Sequence, residues 1–249
     1  MLKKERQAYI IHQLDVHNKV LSSNLSGVMQ VSEDTVRRDL QELSDEGKVI
    51  KVHGGALSRS FNFLYEKGNV VYAQQGKKII AGKVAGMISP GMIVLTSGGT
   101  TIQEIAMALP TDLHATFITG SLPAALAYMQ HPTVEVIVIG DRVSKHAKLT
   151  VGGDAVSRIG GIRADLCILG INAIDREHGV TDNDWEVVQV KKAMIKAARK
   201  VICVSISEKI DSCQPFQICG LQEIDTLVTE LDPLDEKLSA YRDEGLEII

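Results

Sequence analysis

From residue 76 onward the sequence alternates segments of helical period with short apolar runs, and this alternation constrains the fold more than any other feature. Residues 78–87, 101–109, 122–129, 187–198 and 233–241 have helical spacing, whereas residues 92–95, 115–119, 134–139, 165–170, 201–205, 226–229 and 246–249 have the length and content of strands. Strands separated by helices cannot close two-residue hairpins. They cross over instead and pair in parallel, with helices covering the faces of the sheet. The alternation therefore predicts a Rossmann-like, mainly parallel α/β domain.

The first sixty residues follow a different pattern. Ile10, Ile11 and Leu14 mark a helix over 4–17. Leu25, Val28 and Met29 mark a short second helix, with Ser22 as a possible cap. The third helix starts at Ser32, whose hydroxyl is placed to accept a backbone N–H of the first turn. Glu33 and Asp34 follow, where the helix dipole favours negative charge. Val36, Leu40 and Leu43 make one apolar stripe and leave Thr35, Arg37, Arg38 and Gln41 on the other faces. Gly47 ends the helix, residues 48–52 read as a strand, and His53-Gly54-Gly55 turns the chain into a returning strand. Three helices and a hairpin make a winged helix-turn-helix, whose last helix enters the major groove while the wing touches the flanking backbone. Thr35, Arg37 and Arg38 are then candidates for base or phosphate contact and Ser32 for a phosphate. Lys48, Lys51 and His53 are candidates for anchoring the wing, and Gly54 for letting it turn.

Composition is that of an ordinary globular chain, 45% hydrophobic and 23% charged. No run of eighteen apolar residues is present and the N-terminus lacks a signal-peptide core, so a cytoplasmic protein without a membrane span is expected. The net charge of −4 does not advertise nucleic-acid binding; residues 1–60 carry +1 and the remainder −5, so DNA affinity must come from local placement of cations. Cys167, Cys203, Cys213 and Cys219 show no Cys-x-x-Cys pairing. Three of them lie in or near apolar runs and read as buried small hydrophobes. No histidine cluster accompanies them, so neither a zinc site nor another cofactor is expected.

Thr35-Val36-Arg37-Arg38-Asp39-Leu40, Leu43, Gly47 and Lys51-Val52-His53-Gly54-Gly55-Ala56 resemble the DeoR family of bacterial transcriptional regulators. The family hallmark is Thr-Ile-Arg-Arg-Asp-Leu followed by a wing of Arg-x-His-Gly-Gly-Ala; this chain has Val36 for the isoleucine and Lys51 for the arginine. The resemblance implies a sequence-specific regulator, most simply a repressor of carbohydrate metabolism genes. Its expected partners are an operator in double-stranded DNA, a phosphorylated small-molecule effector and further copies of itself, as a dimer or tetramer. The expected division is a DNA-binding domain over 1–57, a linker over 58–75 and an effector-sensing domain over 76–249. The linker carries the aromatic cluster Phe61, Phe63, Leu64 and Tyr65 and a turn at Gly68-Asn69.

In open α/β sheets, ligands bind beyond the carboxyl ends of the strands. Thr96-Ser97-Gly98-Gly99-Thr100-Thr101 occupies such a place. Its glycines, hydroxyls and helix N-terminus suit an oxyanion, although an ordinary Gly-rich turn has the same spacing. The loop lacks a Walker lysine and the dinucleotide fingerprint. DeoR-type sensor domains carry Asp-Ser-Gly-Thr-Thr here, so Gly99, Thr100 and Thr101 match, while Ser97 and Gly98 replace the Asp and Ser. The family's later Thr-Asn-Ser corresponds to Thr119-Gly120-Ser121, its Gly-Gly to Gly140-Asp141, and its late lysine to Lys209. Gly152 is a further candidate for lining the site. The stretch 178–185 reads as a polar loop, and Lys191, Lys192, Lys196, Arg199 and Lys200 as a solvated basic face.

The sensor pattern is also similar to ribose-5-phosphate isomerases. Where those enzymes have Asp-Gly-Ala-Asp, this chain has Gly170-Ile171-Asn172-Ala173, and Val190 stands at the position of their glutamate base. Without those proton-transfer groups, binding without turnover is expected and no residue is assigned a catalytic role. The alternatives are an isomerase-like enzyme and a metabolite-binding protein that does not bind DNA.

Overall fold

The computed structural model describes residues 1–58 and 71–249, and the chain divides into two compact units, 1–72 and 73–249. The first contains α1 (Lys3–His17), β1 (Lys19–Leu21), α2 (Ser22–Met29), α3 (Glu33–Asp45), β2 (Val49–Val52) and β3 (Gly55–Ser58). The stripe Val36, Leu40 and Leu43 is buried against Ile10, Leu14, Leu25 and Met29. The hairpin is antiparallel as expected, but β1 adds a third strand, giving the order β1-β3-β2. This strand is too short to announce itself by alternation. It exists because β3 offers an open edge, and it crosses β3 so closely that a Cβ at Gly55 would collide with the Val20 carbonyl. Gly55 therefore serves packing within the unit, and the turn itself uses Gly54 at φ 78°. Ser22 is not a cap: Leu21 holds that place, and the buried Ser22 donates its N–H to the Gly54 carbonyl at 2.8 Å. The residues Phe61, Phe63, Leu64, Tyr65, Gly68 and Asn69 lie outside the described residues.

The second unit is built on a seven-stranded sheet in the order β15-β14-β12-β9-β4-β5-β6, with every neighbouring pair parallel. The strands are β4 (Ile93–Thr96), β5 (Thr116–Thr119), β6 (Glu135–Val138), β9 (Ala164–Gly170), β12 (Ala198–Val204), β14 (Thr226–Val228) and β15 (Glu247–Ile248). The helices include α4 (Gln74–Ala85), α5 (Thr100–Ala108), α6 (Leu122–Tyr128), α7 (Gly153–Gly160) and α8 (Trp185–Lys196). From β4 the sheet grows through β5 and β6 in one direction and through β9, β12 and β14 in the other. The β4–β9 border is thus the point where strand order reverses, the usual ligand crevice of such folds. Phe117 of β5 stacks on Tyr128 of α6 with ring centroids 4.3 Å apart, and both are fully buried.

Several elements depart from expectation. Helix α4 begins at Gln74, inside the segment expected as linker, because its first turn is polar and its apolar period starts only at Ile80. The stretch expected as a polar loop contains β11 (Gly179–Asp182), which is fully buried and pairs with β10 (Ala173–Asp175) and β13 (Phe216–Cys219) in a small antiparallel sheet. Its buried polar side chains hide the strand signal. A hairpin of β7 (Arg142–Ser144) and β8 (Leu149–Val151) also went unannounced, each strand having only three residues. The last expected helix shortens to a 3-10 turn at Glu236–Leu238 and α9 (Ser239–Asp243). Among the described residues no helix is long and apolar enough to cross a membrane.

Candidate DNA-binding surface and anion site

Helix α3 is capped by Ser32, whose Oγ accepts the Thr35 N–H at 3.3 Å and lies 3.0 Å from Thr35 Oγ1. With its apolar stripe buried, the helix turns Arg37, Arg38 and Gln41 to solvent. Arg37 reaches back to Asp34 at 3.2 Å and Glu33 at 3.4 Å. Such exposed pairs contribute only about 0–1 kcal/mol, so an arriving phosphate can displace them. Asp39 is 2% exposed and accepts from Arg6 of α1: Nε donates to Oδ2 at 2.7 Å and Nη2 to Oδ1 at 3.1 Å. The pair clamps α1 to α3. On the wing, Lys51 Nζ donates to Gln41 Oε1 at 2.8 Å, Lys48 pairs with Glu46 at 2.7 Å, and His53 and Gly54 stand exposed at the tip. The expected cations of helix and wing thus lie on one unit's surface, joined by the Lys51–Gln41 bond.

In the second unit the loop after β4 is assembled by close backbone packing. A Cβ on Gly98 would stand 2.9 Å from Ser121 Oγ, and one on Gly170 would stand 2.8 Å from the Gly98 carbonyl. The ends of β4, β5 and β9 therefore meet. Gly99 has φ 124°, a conformation open to glycine, and ends as the N-cap of α5. Gly98, Gly99, Thr100 and Thr101 remain partly accessible at that helix N-terminus. Ser97, Thr119 and Ser121 are fully buried, and their hydroxyls act inside the framework. Ser97 Oγ accepts the Gly170 N–H at 2.8 Å, Thr119 Oγ1 donates to the Thr96 carbonyl at 2.8 Å, and Ser121 Oγ caps α6 by accepting the Ala124 N–H at 3.4 Å. A Cβ on Gly120 would collide with Thr150 Oγ1. Gly152, at φ 119°, is the N-cap of α7 and packs against Asp141.

Beside this loop the fold gathers charge that the sequence did not reveal. Lys209 Nζ donates to the Ile171 carbonyl at 3.0 Å, at the end of β9. Burial, followed by the charges of Lys77 and Lys191, lowers its pKa to about 7 against the partial relief of Asp182 and Glu208. Lys191 belongs to no solvated face: it is 6% exposed and donates to Asp182 Oδ2 at 2.7 Å. Asp182 is held below the usual carboxylate range: burial opposes this, but Lys191, the Asn183 N–H and Asn172 outweigh it. Lys77 of α4 is 6% exposed. Lys77 and Lys191, on separate helices, thus both act on Lys209, against the opposite charges of Asp182 and Glu208. Sequence inspection missed Lys77, Lys191 and Asp182, because nothing in their spacing shows that they share an address. Of the residues that the isomerase resemblance singles out, Val190 is buried and Asn172 donates to Asp182 Oδ1 at 3.5 Å.

Comparison with known proteins gives matches to both units. Residues 6–61 match the DeoR-like helix-turn-helix domain and residues 73–231 the DeoR C terminal sensor domain. The chain is 28% identical over its full length to the HTH-type transcriptional repressor GlcR of Bacillus subtilis, covering 96% of that protein. It is 31% identical to the HTH-type transcriptional repressor CsqR of Escherichia coli, over 90% of this chain and 87% of that one. Among solved structures, ribose 5 phosphate isomerase A from Neisseria gonorrhoeae overlaps 55% of this chain and 54% of its own at 14% identity, with a TM-score of 0.39.

Proposed function

Because the chain belongs to the DeoR family of transcriptional regulators, we propose that it represses genes of carbohydrate metabolism and is released from its operator by a phosphorylated sugar or related metabolite. The exposed face of α3, with Thr35, Arg37 and Arg38, reads base edges and phosphates, while Ser32, Lys48, Lys51, His53 and Gly54 fix its register on the duplex. Two copies, joined through the sensing domains, present paired heads to spaced half-sites. The exposed Ile137 and Val138 on the edge strand β6 support self-association there.

The observation that carries the effector reading is the meeting of Lys77, Lys191 and Lys209 beside an accessible Gly-Gly-Thr-Thr helix start at the reversal of strand order. A phosphate placed there receives N–H donors from the Gly98–Thr101 backbone and offsets the repulsion that Lys77 and Lys191 exert on Lys209. Ser97, Thr119, Gly120 and Ser121 hold the loops that shape this place, and the hydroxyls of Thr100 and Thr101 add donors. The effector acts by preferring one arrangement of the heads over the other. No turnover is proposed, in keeping with relatives that are named as repressors. The test is a thermal-shift screen of the full chain against pentose, hexose and triose phosphates and their unphosphorylated parents. A ligand of the folded state raises the Tm, so the phosphates alone are expected to do so. Equal shifts with the parents, or turnover of any phosphate, would refute the proposal.

A further inference from the structure

Away from the anion site, folding brings together Asp175, His178 and Cys213, whose donor atoms all lie within 4.8 Å of one another. Asp175 and His178 flank the turn between β10 and β11. There Asp175 Oδ1 accepts the His178 backbone N–H at 2.6 Å, and His178 Nδ1 lies 3.1 Å from Oδ2. Cys213 comes from the segment between β12 and β13, thirty-five residues further along, so the grouping has no sequence signature. Its position is fixed from both sides by the small sheet that carries the other two groups. The Ser212 N–H donates to the Ile174 carbonyl at 3.2 Å, and the Gln214 N–H to Thr181 Oγ1 at 2.8 Å. Cys213 is the one exposed cysteine of the four; the other three are buried core groups.

A thiolate, an imidazole and a carboxylate form a donor set suited to zinc and its close relatives, and poorly suited to magnesium or calcium. Tetrahedral zinc, with bonds of about 2.0–2.3 Å, needs its donors about 3.3–3.7 Å apart, which side-chain adjustments of about 1 Å supply here. All three groups keep some solvent access, leaving room for a water as fourth ligand. We propose that Asp175, His178 and Cys213 bind one zinc-class divalent cation. The ion clamps the segment between β12 and β13 to the β10–β11 hairpin. That segment also carries Lys209, four residues before the cysteine, while the hairpin carries Asp182, so the clamp holds two members of the charged cluster in place. Only this last consequence rests on the effector reading; ion binding itself does not.

The test is titration of the full-length chain with cobalt(II), a spectroscopic stand-in for zinc, under a non-thiol reductant. One equivalent is expected to give visible bands of tetrahedral intensity and a thiolate-to-cobalt charge-transfer band in the near ultraviolet. Cys213→Ser should abolish the charge-transfer band, and His178→Ala should weaken binding at least about tenfold. Both changes are at exposed side chains, so both variants should fold. Zinc should raise the Tm of the natural chain and leave that of Cys213→Ser unmoved. An octahedral, hydrated cobalt spectrum with the natural chain would overturn the proposal. So would a charge-transfer band that survives Cys213→Ser, or equal zinc shifts in the two proteins. Loss of the sugar-phosphate response with these cobalt results intact would instead count only against the effector reading.

Discussion

In the N-terminal unit, Arg37 of α3 is held by carboxylates one turn back on that same helix, exposed and within easy reach of a competitor. In the C-terminal unit, the buried Lys77 and Lys191 come from separate helices to press on Lys209, while Asp182 pairs with Lys191. The first arrangement keeps its cations ready at small cost in stability, because surface pairs contribute little. The second holds the Lys209 pKa down by burial and neighbouring lysines, and an anion bound beside it would raise that value again. A duplex is a large polyanion met at a surface. A metabolite is small and has to be enclosed, so its recognition depends on groups removed from water.

The largest expected effect lies on the buried side. Asp182→Ala takes from the buried Lys191, 6% exposed, the carboxylate it donates to. It should lower the stability of the sensing unit by about 3–5 kcal/mol, read as a fall in the urea midpoint. A loss below about 1 kcal/mol would mean that Lys191 is in effect a surface residue. Next come the arginines: Arg37→Ala and Arg38→Ala should each weaken specific operator binding by about 1–3 kcal/mol without moving the Tm. If either destabilised the fold, the contrast between exposed and buried cations would fail.

A third expectation concerns pH. Lys209 titrates near 7 in the free protein, and a bound phosphate dianion raises that value. Binding therefore takes up a proton above pH 7. Affinity should fall as pH rises, by up to about tenfold per unit until the pKa of the bound state is passed. Titration calorimetry in buffers of different ionisation enthalpy reads this uptake directly, and Lys209→Met should abolish it. The smallest effect is at the surface. Glu33→Gln with Asp34→Asn frees Arg37 and removes two negative charges beside it, so DNA affinity should rise a few-fold, most at low salt.

The same contrast explains what could be read from the sequence. The stripe Val36, Leu40 and Leu43, the Ser32 cap and the arginines beside them are local, since a helix converts spacing directly into faces. The parallel sheet was legible because long alternations leave little choice of pairing. The glycine loop was legible as a position, but the burial of Ser97, Thr119 and Ser121 was not, because their partners lie on other strands. Lys191 shows the limit most clearly. In sequence it sits in a run of cations that looks solvated, and only the pairing of β11 with its neighbours brings Asp182 under α8 to receive it. Three-residue strands such as β1 and β7 have too little length to show a period at all.

The division of labour between the units is tested most directly by fluorescence anisotropy of the full chain on an operator duplex selected from random sequence, titrated with sugar phosphates, for the natural protein and for Gly99→Val. The natural protein should release the duplex on addition of a phosphate found by thermal shift. Gly99→Val, strained where φ is 124° and bulky at the anion loop, should bind the duplex equally well and fail to release it. Release by Gly99→Val at the same phosphate concentration would contradict the placement of the effector at the reversal of the sheet.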